Sequence, residues 1–515
     1  MRADRIRALF AAHSSLGIVL GLVLYLVAWS GVPALFIDAI DQWAQPAANV
    51  APLNHGSADK LLANHEQRFL AGPAPLVILE MPGTTHPAAT LHWRRPGDAS
   101  NRSSRIHPAT GATLPATTNG LAAFLQELHT DLLLPKPWGR YLVGMAGLFM
   151  LLSVVTGILL HRKPIRQAFT YRNNHSALLQ LSDGHKALGL WAFPFHLMIA
   201  YTGAMLGLAG LLIALTSLLA FGGDMDQARA ALAGAGPDPA DETAEMASLD
   251  RMITGSLVLY PDKVPERVIV NHYGDANAWV RIDMTEPGTL SNRNTHVLFN
   301  GTDGSLRETL ALRDSMGRRL FASIIPLHYA TYGGTPLKLV YGLLGTASAM
   351  LTAMGLMIWV ERRRRHPGWG GVPGGRKGRH FIQGAVGGLP VATALVMAFS
   401  SLGPGSSGDQ RLALALTFLG TWAGWAMATA IAGQRVHPLG LALLGTGAGS
   451  LLAACVSITT RPMTTQLSGA PLGVNIALLA LAATFIPAGI IRVRRTDTRT
   501  SQRIRHTQTD IETTG

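Results

Sequence analysis

Residues 183–203 read DGHKALGLWAFPFHLMIAYTG. The run is apolar and long enough to enter a bilayer as a helix, yet it carries two histidines, His185 and His196. At about 100° and 1.5 Å per residue, eleven residues return to nearly the same helix face, roughly 16 Å further along the axis. Two imidazoles so placed on a membrane helix can each hold one haem of a stacked pair. Histidine inside a membrane is costly and usually functional. The plainer alternative is one interfacial histidine and one hydrogen-bonded core histidine.

The composition agrees with a membrane setting. Of 515 residues, 48% are hydrophobic and only 14% charged. The net charge of +13 raises nucleic acid as a partner. However, the basic residues cluster at the ends of apolar segments, which is the positive-inside pattern, and this argues for lipid surroundings and against nucleic acid. The single cysteine, Cys455, excludes a disulfide framework, an iron–sulfur cluster and a Cys-based zinc site within one chain. Haem held by histidine needs no cysteine. With no CxxCH attachment motif, any haem is b-type.

Outward from the quoted stretch, the apolar segments predict eight spans. The first is 1–37, with the N-terminus in the cytoplasm. A polar outside domain, 38–137, has short strand-like runs such as PLVILEMPG and ATLHWRRPG between Gly/Pro turns. The second span is 138–161, a basic cytoplasmic loop is 162–186, and the third span is 187–221. A second outside domain, 222–322, precedes the fourth span, 323–361, which stops at the basic run ERRRRH. A basic cytoplasmic loop follows at 362–380, then four C-terminal helices within 381–491 and a basic cytoplasmic tail, 492–515. The expected fold is thus an α-helical integral membrane protein with two small α+β domains outside and both termini inside.

An internal repeat sharpens the reading. His13 opens HSSLG and its helix ends in Ser30-Gly31; His185 opens HKALG and its helix ends in Thr202-Gly203. The second and fourth spans also match, LHTDLLLPKPWGRYLVG with LHYATYGGTPLKLVYG. His129 precedes Gly157 by twenty-eight residues and His328 precedes Gly355 by twenty-seven. Two similar halves packed about an axis bring His13 near His185 and His129 near His328, the facing pairs that bis-imidazole ligation needs. Gly17, Gly31, Gly189 and Gly203 would let helices or a porphyrin approach closely. His161 and His196 break the symmetry, matching Trp359 and Leu24, and are candidates for further ligands. His161 could instead bind a haem propionate, as could Arg162, Arg362 and Arg364. Histidines of the outside domains, His55, His65, His86, His92, His107, His272 and His296, read as surface residues. His366 and His380 read as solvated, and His437, at a helix end, carries no evident chemistry.

With these residues in hand, the chain resembles the PepSY-associated transmembrane family of bacterial inner-membrane proteins. The stretches TGILLHRK, DGHKALGLWAFPFHLMIAYTG, LHTDLLLPKPWGR and LHYATYGG carry the likeness, over about residues 8 to 365. The resemblance implies PepSY modules outside the membrane and two b-type haems between four membrane helices, as in iron-regulated proteins and siderophore-iron reductases. Their candidate iron ligands are His13, His129, His161, His185, His196 and His328, with the choice of four left open. It implies electrons crossing the membrane to a periplasmic acceptor such as a ferric siderophore; with no GxGxxG-plus-acidic nucleotide motif in the sequence, the expected donor is quinol or another protein. Ferrous iron binds hard oxygen chelators far more weakly than ferric iron, so reduction alone releases the metal. The other readings are a non-enzymatic membrane regulator or chaperone of proteases or signalling, and a siderophore transporter whose halves are the repeat.

Overall fold

The computed structural model describes residues 3–45, 56–68, 75–83, 87–95, 97, 102–114, 120–161, 163–172, 175–233, 236–290, 293–311, 316–364, 375–402, 407–433, 437–461 and 469–512. The chain divides into two compact units. One comprises Met1–Pro46, Thr118–Ala200 and Gly342–Gly515; the other comprises Ala47–Thr117 and Tyr201–Tyr341.

In chain order the described elements are α1 (Ala3–Val19), α2 (Gly21–Ala34), α3 (Ile37–Ala44), α4 (Ala58–Ala63), β1 (Leu76–Glu80), β2 (Ala89–Arg94), β3 (Arg102–Ile106) and α5 (Leu121–Asp131). Next come α6 (Trp138–Leu159), α7 (Pro164–Ala168), α8 (Ala177–Trp191), α9 (Phe193–Gly207), α10 (Ala209–Ala220), α11 (Met225–Ala233) and α12 (Leu249–Leu259). Then follow β4 (Val264–Asn271), β5 (Trp279–Thr285), β6 (Arg293–Asn300), β7 (Leu306–Ala311), α13 (Met316–Tyr329) and α14 (Gly334–Arg364). The chain closes with α15 (Gly375–Ser401), α16 (Ser407–Ala432), α17 (Pro438–Thr460) and α18 (Gly469–Glu512).

Among the described residues six helices are long and apolar enough to cross a membrane: α6, α14 and the four from α15 to α18. Three more spans arise if the bent pairs α1–α2, α8–α9 and α10–α11 each count as one. Six to nine such segments make this a multi-pass membrane protein. Two expectations change in detail. The first span is broken, with α1 and α2 meeting at 67°; the third is broken into α8, α9 and α10, with α8 and α9 meeting at 73°. At the second break Pro194 has no amide hydrogen to give the preceding turn, so the α8 ladder ends at Trp191.

In the first unit, α15 to α18 pack through small residues. A Cβ on Gly387 would lie 2.7 Å from that of Ala442, and one on Gly449 would lie 3.0 Å from that of Ala394. Close backbone approach replaces the hydrophobic effect as the source of helix association in lipid. This bundle is tied to α2, α3 and α5. Tyr25 donates to the Val386 carbonyl (2.8 Å), Trp29 to Thr393 (3.0 Å) and Trp43 to Asn475 (2.9 Å). Gln410 accepts the Gly120 amide at the start of α5 (3.0 Å), Arg411 pairs with Glu127 on α5, and Phe418 stacks edge-on against Phe124.

In the second unit, the two segments expected as separate domains share one antiparallel sheet, ordered β3-β2-β1-β4-β5-β6-β7. They join where β1 meets β4, with Ile78 opposite Ile269. Alternation places Val77, Leu79, Leu91, Val268, Val280 and Val297 on one face, packed against Leu61 and Leu62 of α4 and Leu249 and Met252 of α12. The two helices cap each other. Asp59 of α4 accepts from Ser248 (2.6 Å) and the Leu249 amide (2.7 Å), while Asp250 of α12 accepts from Ser57 (2.5 Å) and the Ala58 amide (2.7 Å). Each carboxylate thus faces the positive end of the other helix. On the opposite face of the sheet Asp283 is buried and takes Arg281 (2.8 Å), Arg267 (2.9 Å) and His296 (2.7 Å). Burial alone would raise its carboxyl, but the hydrogen bond from His296 and the adjacent guanidinium groups hold it at about 2.

Candidate functional site

Four of the six histidines share one local arrangement. His13 on α1 donates from Nδ1 to the Ser153 carbonyl on α6 (2.9 Å), and its Cε1 lies 3.2 Å from where a Cβ on Gly157 would stand. His185 on α8 donates from Nδ1 to the Leu351 carbonyl on α14 (2.9 Å), with its Cε1 3.5 Å from the corresponding point on Gly355. His129 on α5 donates to the Val27 carbonyl on α2 (3.0 Å), with its Cε1 2.9 Å from that point on Gly31. His328 on α13 has Nδ1 2.9 Å from the Thr202 hydroxyl on α9 and its Cε1 3.3 Å from that point on Gly203. The repeat is visible atom by atom. Ser153 and Leu351 each precede the facing glycine by four residues, and Ser30, 3.3 Å from His129, precedes Gly31 as Thr202 precedes Gly203.

The chemistry of this arrangement follows from the acceptors. A carbonyl oxygen can only accept, so His13, His129 and His185 carry a proton on Nδ1 and, when neutral, a lone pair on Nε2. Metal-ligating histidines are fixed in the same way, with the distal ring N–H given to a carbonyl. The rings of His13 and His185 have centres 6.2 Å apart and planes inclined by 71°. Two imidazoles bonded to opposite sides of one metal, at about 2 Å from each nitrogen, put their ring centres about 6 Å apart. Among the described residues no three His, Cys, Asp or Glu side chains gather as a metal cluster.

The other two candidates are set differently. His196, fully buried on α9, has Nδ1 2.8 Å from the Ser348 hydroxyl and Nε2 3.3 Å from the Leu188 carbonyl, so both nitrogens already face protein partners. His161 gives Nδ1 to Gln167 of its own loop (2.5 Å) and not to a neighbouring span. That loop is fastened to α8 by Arg172, which grips the buried Asp183 with two bonds of 2.7 Å.

A family model described as the PepSY-associated TM region matches residues 10–362. The chain belongs to this PepSY-associated family. It is similar to the uncharacterised protein PA4219 of Pseudomonas aeruginosa, 31% identical over 354 residues that cover 65% of this chain and 85% of the relative. The PepSY-associated match takes in all six candidate histidines and ends before α15, so the four C-terminal helices lie beyond it.

Several smaller expectations change. His65 is buried and its Nε2 is 3.1 Å from the Gly111 carbonyl, and His296 serves Asp283, so neither is a surface residue. His380 is buried on α15, not solvated, and His437 caps α17 by accepting the Gly440 amide (2.9 Å). Arg362 lies over the Phe10 ring. Arg162, His55, His86 and His366 fall outside the described residues, as does the side chain of Arg364. Gly31 and Gly203 do meet histidines, whereas a Cβ on Gly17 would meet nothing within 4 Å and one on Gly189 would meet Leu351 at 3.5 Å. Sequence reasoning used Gly157 and Gly355 only as markers of the repeat and passed over Ser348; the constant spacing from histidine to glycine was the signal that could have paired them.

Proposed function

We propose that this protein is a membrane-embedded b-type di-haem oxidoreductase that moves electrons across the bilayer, from quinol or a protein donor, to a ferric siderophore. One observation supports it above the rest: His13 and His185 sit on different spans with ring centres 6.2 Å apart, each with Nδ1 engaged by a carbonyl. These two residues would hold one haem iron, and the group, when bound, would supply one-electron transfer. His129 is fixed by a carbonyl, that of Val27, as His13 and His185 are, and His328 has its Nδ1 against the Thr202 hydroxyl; each is proposed as a further haem ligand. The chain's own part is positional. The carbonyls of Ser153 and Leu351 orient the rings, and Gly157 and Gly355 leave room beside Cε1. Arg172 and Asp183 hold the loop at the base of α8, two residues from His185. In this reading the inner membrane is the setting and the sheet-bearing segments face the periplasm.

The test is a reduced-minus-oxidised spectrum of the purified full chain. The expected result is b-type α-bands, one component of which disappears both in His13→Ala and in His185→Ala. A spectrum without those bands, or one that neither substitution changes, refutes the reading; unaltered activity in His185→Ala would then favour a regulatory PepSY protein.

A further inference from the structure

We infer that the loop between α6 and α8 is a docking surface for anionic phospholipid, and that lipid seated there secures α8, the helix that carries His185. The surface needs no haem, so it stands or falls apart from the function proposed above.

Charge is the first observation. Residues 162–191 hold five basic residues, Arg162, Lys163, Arg166, Arg172 and Lys186, against one acid, Asp183. That acid is already taken. It is buried, accepts two bonds of 2.7 Å from Arg172 and has Lys186 at 3.8 Å. Lys163 and Arg166 are exposed and pair with no carboxylate among the described residues. At a bilayer surface such a cation is drawn to anionic headgroups, which strengthens attachment about fivefold for each one.

The same loop turns apolar side chains outward. Ile165 on α7 is 79% exposed, Phe169 70% and Tyr171 58%, and Trp191 at the end of α8 is 64% exposed. Phe169 and Trp191 meet edge to face with ring centres 5.0 Å apart, and the Trp191 indole donates to the Ala168 carbonyl (3.0 Å). Facing water, this would be an uncovered apolar patch. Its continuity with the spans says what covers it. α6 crosses the membrane, its side chains Leu152, Val155 and Leu159 are exposed as lipid-facing residues are, and Ile165 follows Leu159 by six residues. α8 meets α9 at 73°, so with α9 crossing the bilayer, α8 and the loop fastened to it run close to the membrane plane. Aromatic rings beside lysine and arginine fit the level of the headgroups. An acidic soluble protein would answer the charges but not this continuity with the lipid-facing side of a span.

The internal repeat agrees. Val19 holds the position of Trp191, at the end of α1 where the first repeat bends by 67°, and it is 77% exposed. Both repeats thus turn an apolar side chain outward at the break.

The loop also runs back along α8. Arg172 holds Asp183, and the Ala168 carbonyl holds Trp191, so the two fastenings bracket His185. Lipid that fixes the loop therefore limits the movement of α8, and with it the ring that donates to the Leu351 carbonyl (2.9 Å).

The experiment places the full chain in nanodiscs of phosphatidylcholine alone or of phosphatidylcholine with phosphatidylglycerol. A fluorophore on Ile165→Cys reports what the loop touches, in a Cys455→Ser background that removes the single, exposed cysteine. Spin-labelled phosphatidylglycerol should quench it several-fold more than spin-labelled phosphatidylcholine. That preference should vanish when Lys163→Gln and Arg166→Gln are combined. Amide exchange in the unlabelled wild type needs no substitution. It should slow about fivefold or more in residues 177–191 when phosphatidylglycerol is present, and stay the same in α15 to α18. Four results overturn the inference. Quenching by aqueous iodide but by neither lipid would make the loop a water-facing surface for a protein. Equal quenching by the two lipids in wild type would leave the basic residues a role in topology alone. A preference that survives in the double variant would place the lipid's partners elsewhere. Exchange in α8 that ignores the lipid would leave a surface without a hold on the helix.

Discussion

The glycines opposite the histidines turn a general idea, small residues near a cofactor, into a graded expectation. An added methyl would approach Cε1 of the ring to 2.9 Å at Gly31, 3.2 Å at Gly157, 3.3 Å at Gly203 and 3.5 Å at Gly355. The first is closer than packed carbon atoms tolerate and the last is ordinary van der Waals contact, so overpacking should fall along the series from about 1–3 kcal/mol towards nothing. Because each ring is also held at Nδ1, it cannot slide away without losing that hydrogen bond. Single alanine substitutions should therefore lower haem retained per protein most at Gly31, less at Gly157 and Gly203, and least at Gly355. Absorbance at the Soret band against protein concentration reads this directly. An order unrelated to these distances would show that the glycines serve helix packing and not the rings.

Helices α4 and α12 show how an element can depend on a partner distant in sequence. Both have a serine N-cap followed two residues later by an aspartate, Ser57-Ala58-Asp59 and Ser248-Leu249-Asp250, and each aspartate serves the other helix. α4 has only six residues, too few to stand alone in water, so its start depends on Asp250. Asp250→Ala should cost about 1 kcal/mol, within the usual range for a lost cap of 0.5–2 kcal/mol. The loss should be seen as faster amide exchange in α4, and Asp59→Ala should do the same to α12. Equal exchange in both helices in either variant would contradict crossed capping. The crossing was not legible in the sequence, although each Ser-x-Asp was, because a cap signal says that an amide is satisfied without saying whose carboxylate does it. Strand content was legible for a related reason: alternation in ERVIVNHY and NAWVRIDM marks a half-buried strand wherever it pairs. The join of β1 to β4 was not, since an edge pairing across more than 150 residues of chain leaves no local mark. The broken spans were missed because hydropathy averages over a break, even with Pro194 in plain view.

The helix-bearing unit gives the four C-terminal helices a role that their own residues did not disclose. Their presence within 381–491 could be read from hydropathy, but no histidine or carboxylate in them suggested chemistry. What they do is mechanical and one-sided. They hold α5, which carries His129, through Gln410 at its first turn, Arg411 on Glu127 and Phe418 on Phe124. α5 needs such support because its N-cap is Gly120, which has no side chain to satisfy the orphan amides, and because the chain leaves it through two left-handed residues, Leu132 (φ 52°) and Leu133 (φ 59°). Replacing Gln410 and Arg411 together by leucine keeps the apolar packing and removes both polar ties. The Gly120 amide is then left unpaired, at a cost of about 1–3 kcal/mol, and this falls on the placement of His129. Haem affinity of the spectral component that His129→Ala abolishes should drop by about tenfold, which corresponds to roughly 1.4 kcal/mol. The component that His185→Ala abolishes should be untouched, because His13 and His185 are oriented by Ser153 and Leu351 on α6 and α14, which these ties do not reach. Haem titration of the two apo-proteins, followed at both components, separates the outcomes. Equal weakening of both would mean that the C-terminal helices support the fold in general, and no weakening of either would mean that α5 holds its place without them.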